Sequence, residues 1–291
     1  MKRPRWVCAL VILALAGITG CGGARVEAVS PEPVTLVAAN LPYSGDRYLD
    51  VRAPESDQGG LPVVVLLHGC CGDRADVVRL ADRVAAEGAV VMTPDWGGTS
   101  NGATYPDVFE AVACAVRYAR QNATAYGGHP DRVVLAGWSD GALAAAVVGM
   151  TGDLFPPDSC TEPGPPGRPD AVVGLAGYYG WTLPVPDQVV TERTVRFMGG
   201  TPDDRPSQWE RATPHYWIDR SNSIPISLIV SADDELRADA EAFHRRLDRA
   251  GWPVRLDVVP VDGEPTLISP RSSEGLRAVD AINWAIGQAG P

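Results

Sequence analysis

Along most of this chain, short unbroken apolar runs alternate with stretches in which apolar residues recur every three or four positions. The run at 63–67 is five consecutive aliphatic residues. An uninterrupted run of that length suits a strand covered on both faces, whereas strict alternation suits one covered on a single face. Residues 89–93, 133–136, 172–176, 226–230 and 254–259 repeat the continuous pattern, and 48–52 alternates like an edge strand. Between them, 75–87, 107–122, 142–150, 236–250 and 273–286 carry helical spacing. Strands separated by helices pair in parallel through crossovers, so the pattern predicts an α/β fold: an open, mostly parallel sheet with helices on both faces. The proline-rich stretch 156–169 predicts an extended surface loop. Residues 182–214 have little periodicity and fall where such a sheet accepts an inserted lid. No internal repeat and no second boundary interrupt the series, which predicts one domain over 46–291.

The strand at 133–136 runs directly into Gly137-Trp-Ser-Asp-Gly141 and then into an alanine-rich helix. A serine on a sharp strand-to-helix turn needs glycine two residues before and two after it, because side chains there would meet the neighbouring backbone. In a chain with 31 glycines the bare spacing is weak. The buried strand before it and the helix after it give it weight. Ser139 is therefore the candidate nucleophile.

The N-terminus changes the picture of where the domain works. Residues 1–5 are basic, 6–18 apolar, and 19–21 small, the layout of an export signal over 1–20. Its apolar part is shorter than the roughly 20 residues that span a bilayer. Ile18-Thr-Gly-Cys21 resembles the lipobox of bacterial lipoproteins, which implies lipidation at Cys21, a spacer over 21–45 and a cell-membrane, extracytoplasmic location. Removing 1–20 takes away Lys2, Arg3 and Arg5 and moves the formal net charge from −11 to −14. So acidic a domain is repelled by nucleic acid and by anionic head groups, leaving a lipid anchor rather than a basic patch to hold it at the membrane. Lys2 is the only lysine, which excludes lysine-based chemistry from the mature chain. Four cysteines remain after Cys8 and Cys21. Cys114, in the helix before the strand that leads into Ser139, and Cys160, in the proline-rich loop, are the expected disulfide; Cys70 and Cys71 are left as free thiols or a vicinal bridge. No metal motif, phosphate loop or dinucleotide fingerprint is present, so no metal and no organic cofactor are expected.

These motifs together resemble the α/β-hydrolase superfamily, in particular its small esterase and dienelactone-hydrolase-like members, over about residues 46–288. His68-Gly-Cys-Cys-Gly72 after a buried strand looks like that family's oxyanion loop. The resemblance assigns oxyanion donation to the backbone N–H groups of Cys70, with Cys71 next to it, and of Asp140. It makes His68 a brace for the loop. Ser231-Ala-Asp-Asp234 at the end of a strand resembles the position of the triad acid, so Asp234 takes that role, with Asp233 as the alternative by one residue of slip; an acidic helix N-terminus accounts for Asp233 and Glu235 without catalysis.

At the third triad position the pattern breaks, because Glu264 stands where the family has histidine. His129 and His244 lie in the wrong places and His215 is a weak substitute. Glutamate ordinarily titrates near 4.3 and is a poor base for a hydroxyl, yet beside Asp234 it could share a proton and act in acid. The implied function is a lipid-anchored serine ester hydrolase binding a small-molecule ester or acyl ligand. The alternatives are an inactive hydrolase fold that binds a ligand, and an envelope interaction protein. Trp96 and the aromatic run at 178–181, including Trp181, fall at carboxyl ends of strands, where they either line a pocket or pack the core.

Overall fold

The computed structural model describes residues 33–55, 59–99, 102–151, 154–155, 160–164, 167–180, 190–219, 223–260 and 267–290. Cys21, Trp181 and Glu264 lie outside the described residues. The chain divides into two units, 1–30 and 31–291, and every described residue belongs to the second.

Among the described residues eight strands form one sheet: β1 (Val34–Ser44), β2 (Arg47–Pro54), β3 (Leu61–Leu67), β4 (Val90–Pro94), β5 (Gly128–Trp138), β6 (Ala171–Leu175), β7 (Ile226–Ser231) and β8 (Val254–Val259). Their order is β1-β2-β4-β3-β5-β6-β7-β8, with β2 antiparallel to both neighbours and every later pair parallel. Each expected strand is present. The stretch read as spacer up to residue 45 differs: β1 occupies its second half as an edge strand. Its residues are mostly exposed and its register against β2 shifts three times, so it carries neither the continuous nor the alternating signature that marks the other strands.

Among the described residues eight α-helices complete the layers: α1 (Val78–Ala86), α2 (Asp107–Asn122), α3 (Asp140–Thr151), α4 (Glu192–Met198), α5 (Pro206–Arg211), α6 (Pro214–Trp217), α7 (Arg237–Arg249) and α8 (Ser273–Gln288). β3 shows why both faces need cover. Val63, Val65 and Leu67 pack on one side with Val108, Phe109, Leu143 and Phe243 of α2, α3 and α7. Val64 and Leu66 pack on the other with Leu80 and Val84 of α1 and Ala278 and Ile282 of α8. This is the open, mostly parallel sheet with helices on both faces expected from the pattern. α3 runs through the centre with every residue from Asp140 to Met150 buried, which explains its alanine-rich, all-round apolar sequence.

Cys114 of α2 and Cys160 are joined as expected. Cys160 also pairs with Ser44 of β1 and Thr161 N–H donates to the Tyr43 carbonyl at 3.1 Å, so the bridge fastens the proline-rich loop to both a central helix and the edge strand. Cys70 and Cys71 form a second, vicinal disulfide. Among the described residues no helix is long and apolar enough to cross a membrane.

Candidate active site

β5 and α3 meet at Ser139 with almost no connecting chain. Ser139 has φ +57°, a left-handed conformation that costs a non-glycine residue about 1–3 kcal/mol and persists only when its surroundings hold it. They do: Ser139 N–H donates to Leu175 O at 2.9 Å, and Ser139 O accepts from Ala142 N–H at 2.9 Å. The flanking glycines are steric necessities. A Cβ on Gly137 would run into the carbonyl of Gly141, and one on Gly141 would lie 2.5 Å from the His68 carbonyl.

The serine opens into a cavity of about 180 Å³. Cys70 of the 68–72 loop forms one side, Ala176 and Tyr178 after β6 another, Thr191, Arg193 and Thr194 at the start of α4 a third, and Glu235 and Leu236 before α7 a fourth. Asp140 is the first residue of α3, where a backbone N–H has no intrahelical acceptor and the helix dipole favours negative charge. Cys70 and Asp140, the two residues expected to supply oxyanion donors, thus both border the cavity that Ser139 enters.

The Asp140 side chain is a separate matter. It is buried, and burial pushes its carboxyl above the ordinary aspartate range; a bond from Thr99, the charge of Arg193 and a bond from Tyr178 oppose that rise. Arg193 Nη1 sits 3.5 Å from Asp140 Oδ2. Burial likewise pushes the Tyr178 hydroxyl well up, with the Asp140 charge adding to it, so Tyr178 is a neutral phenol beside the serine.

Asp234 lies on the loop after β7, where its Oδ1 accepts from Leu236 N–H at 2.8 Å and closes the turn into α7. Its neighbours Glu235 and Leu236 reach the cavity wall; Asp233 is exposed.

No histidine among the described residues lines this cavity. His68 is buried with Nδ1 2.7 Å from Gly69 O, and Trp96 Nε1 donates to His68 O at 3.1 Å. Burial lowers the His68 pKa, which suits a neutral ring bracing the loop. Trp96 is fully buried, the packing alternative of the two considered for it. His215 is 2 % exposed and hemmed in: Arg246 Nη1 lies 3.2 Å from its Nδ1 and Asp239 Oδ1 lies 3.4 Å from its Nε2, too long for good geometry. An arginine can only donate, so Nδ1 accepts and Nε2 carries the proton toward Asp239. Both nitrogens are therefore turned to the α7 side, and His215 is no base for Ser139. His129 lies at the start of β5 and His244 within α7.

Sequence reasoning missed Thr99, Thr191, Arg193 and Thr194. The last three belong to the stretch 182–214, which lacks periodicity; the one usable signal was Thr191 three residues before Thr194, which makes the reciprocal cap of α4. Tyr178 was visible as an aromatic at a strand's carboxyl end.

Residues 49–244 match the BD-FAE family. Esterase LipC of Mycobacterium tuberculosis is 26% identical over 251 residues, covering 77% of this chain and 60% of that protein. Gut esterase 1 of Caenorhabditis briggsae is 30% identical over 139 residues, 41% of this chain and 25% of that one. The chain thus spans from a quarter to three fifths of the length of these relatives. Among solved structures, propionate-bound esterase 2 of Thermogutta terrifontis superposes with a TM-score of 0.69 at 17% identity, covering 90% of this chain and 96% of that one. A bifunctional GH43-CE protein of Bacteroides eggerthii gives 0.71 at 21% identity, covering 84% and 36%.

Proposed function

The chain belongs to the BD-FAE family, and from that premise we propose that it is a serine ester hydrolase for small acyl esters, held outside the cytoplasm by acyl chains on Cys21. The carrying observation is Ser139, fixed at φ +57° with its side of the turn open to a cavity of about 180 Å³ that Cys70 and Asp140 also border. Ser139 Oγ attacks the ester carbonyl while its proton passes to a carboxylate base. The developing oxyanion is held by the N–H groups of Asp140 and Cys70, each such donor being worth about 10²–10³ in rate. The alcohol leaves with a proton and water then releases the acyl group. Glu264 is the base in this reading, with Asp234 as its acid partner, and a carboxylate base, ionised well below neutral pH, sets the working range in acid. The cavity size suits short acyl groups, in keeping with the propionate and butyrate named for the structurally similar esterase 2.

One observation favours a second reading, an inactive fold that binds an acyl ligand: no histidine among the described residues borders the cavity. Fluorophosphonate labelling from pH 4 to 8, with Ser139→Ala as control, separates the two. Labelling at Ser139 that is strongest in acid supports the carboxylate base. Absence of labelling at every pH favours the binding reading, and gain of neutral labelling in Glu264→His would then show that one residue had silenced the site. For the anchor, a clickable fatty acid incorporated in cells by the full chain and lost in Cys21→Ala is expected; equal incorporation in both overturns it.

A further inference from the structure

The Cys70–Cys71 disulfide sits between two fixed points of the oxyanion loop. Upstream, His68 is held by Trp96 Nε1 on its carbonyl at 3.1 Å and by its own Nδ1 contact with Gly69 O. Downstream, Arg74 N–H donates to Asp95 Oδ1 at 2.9 Å and its guanidinium pairs with Asp50 at 3.0 Å and with Asp95. Between these anchors run Gly69, Cys70, Cys71, Gly72 and Asp73, and the two glycines make this the most permissive backbone in the loop. The sulfur bridge is the covalent restraint on it. It closes a small ring over the 70–71 peptide, which restrains ψ of Cys70 and φ of Cys71 and so ties Cys70, whose N–H is the expected donor, to the chain anchored downstream at Arg74. Two further contacts press the bridge into the site: the α-carbon of Gly98 (φ +64°) abuts the Cys70 carbonyl so closely that a Cβ there would collide, and Arg193 Nη1 lies 3.9 Å from Cys71 Sγ while also facing Asp140.

We propose that the Cys70–Cys71 disulfide is a positioning element for the oxyanion hole, so that its reduction by a dithiol loosens the Cys70 donor and turns the serine site down. One thiolate of the dithiol attacks a cysteine sulfur and the S–S bond breaks. The second thiol of the reductant then closes its own disulfide, and two electrons and two protons end on Cys70 and Cys71. Access makes the step selective. Cys71 is exposed and Cys70 partly so, whereas the other bridge has no exposed sulfur residue: Cys114 is 1% exposed and Cys160 is half-buried.

The rate arm rests on the ester-hydrolase reading, so the test carries a second readout that does not. The full chain is treated with graded dithiothreitol under native conditions and alkylated. Mass spectrometry is expected to find Cys70 and Cys71 modified while Cys114 and Cys160 stay joined. In that state hydrogen exchange at 69–72 is expected to speed up about tenfold or more with the rest of the sheet unchanged. Fluorophosphonate labelling of Ser139 is expected to slow by about 100-fold, the scale of one oxyanion donor, and to recover on reoxidation with diamide. Cys71→Ser is expected to label slowly and to ignore dithiothreitol. Unchanged exchange at 69–72, or faster exchange with unchanged labelling, overturns the proposal. Faster exchange on reduction with no labelling in either redox state overturns the ester-hydrolase reading instead, and leaves the bridge as what orders the loop.

Discussion

Ser139 and Asp140 are adjacent, and their environments impose opposite demands. Ser139 was legible because its constraint is local: the glycines at 137 and 141 are required by backbone carbonyls a few residues away or on the neighbouring loop. The environment of Asp140 was not legible, because Thr99, Tyr178 and Arg193 arrive from three distant segments. Its raised carboxyl pKa has a measurable sign. Between the unfolded value near 3.9 and the higher folded value, the native state binds the proton more tightly than the unfolded state does. Asp140 therefore makes stability fall as pH rises through that window, and the penalty is complete above it. In Asp140→Asn the penalty is absent while the backbone donor remains. Urea unfolding from pH 3.5 to 8 is expected to show the variant gaining on the parent as pH rises and then holding a constant lead. A variant that loses ground with rising pH would mean that Arg193 and the hydroxyls over-compensate burial. Glu264 belongs to this scale too. As a residue type at a motif position it was readable, and it is the one triad position that lies outside the described residues.

At the scale of elements, the strands with continuous aliphatic runs and the helices with regular spacing were all recovered, since burial on two faces or on one stripe writes itself directly into the sequence. β1 was not, because an exposed, bulged edge strand is held by its partner's hydrogen bonds rather than by its own side chains. The cap helices α4, α5 and α6 are four to seven residues long, too short to print a periodicity. Their contribution of Thr191, Arg193 and Thr194 to the cavity was hidden for that reason. What fastens the neighbouring proline-rich loop is the Cys114–Cys160 bridge, whose ends are 46 positions apart in sequence. Closing a loop of that length restricts the unfolded chain by about 4 kcal/mol on the chain-entropy account. The double variant Cys114→Ser/Cys160→Ser is expected to lose about that much in urea denaturation, and to keep Ser139 labelling at its original rate in buffer, because neither cysteine borders the cavity. A loss below about 1 kcal/mol would show that Thr161 and the Ser44 pairing hold the loop without the bridge.

For the whole molecule, alternation of strands and helices fixes the place of chemistry before any residue is chosen: the carboxyl ends of β5, β6 and β7 deliver Ser139, Ala176 and the 232–236 loop to one side of the sheet. Charge works at the same scale and against the local pattern. The chain carries a formal net charge of −11, yet among the described residues Arg193 puts a cation at the serine cavity, which Asp140 and Glu235 also border. A long-range repulsion and a short-range attraction thus act on any anionic ligand, and ionic strength tells them apart, because screening over about 10 Å at 0.1 M removes the first and leaves the second largely intact. Labelling by an anionic phosphonate is expected to accelerate several-fold between 10 and 150 mM salt while a neutral analogue of the same size changes little. If the anionic probe slows instead, the field at the cavity mouth is set by Arg193, and Arg193→Gln would then be expected to abolish that salt response and leave the response of the neutral probe as it was.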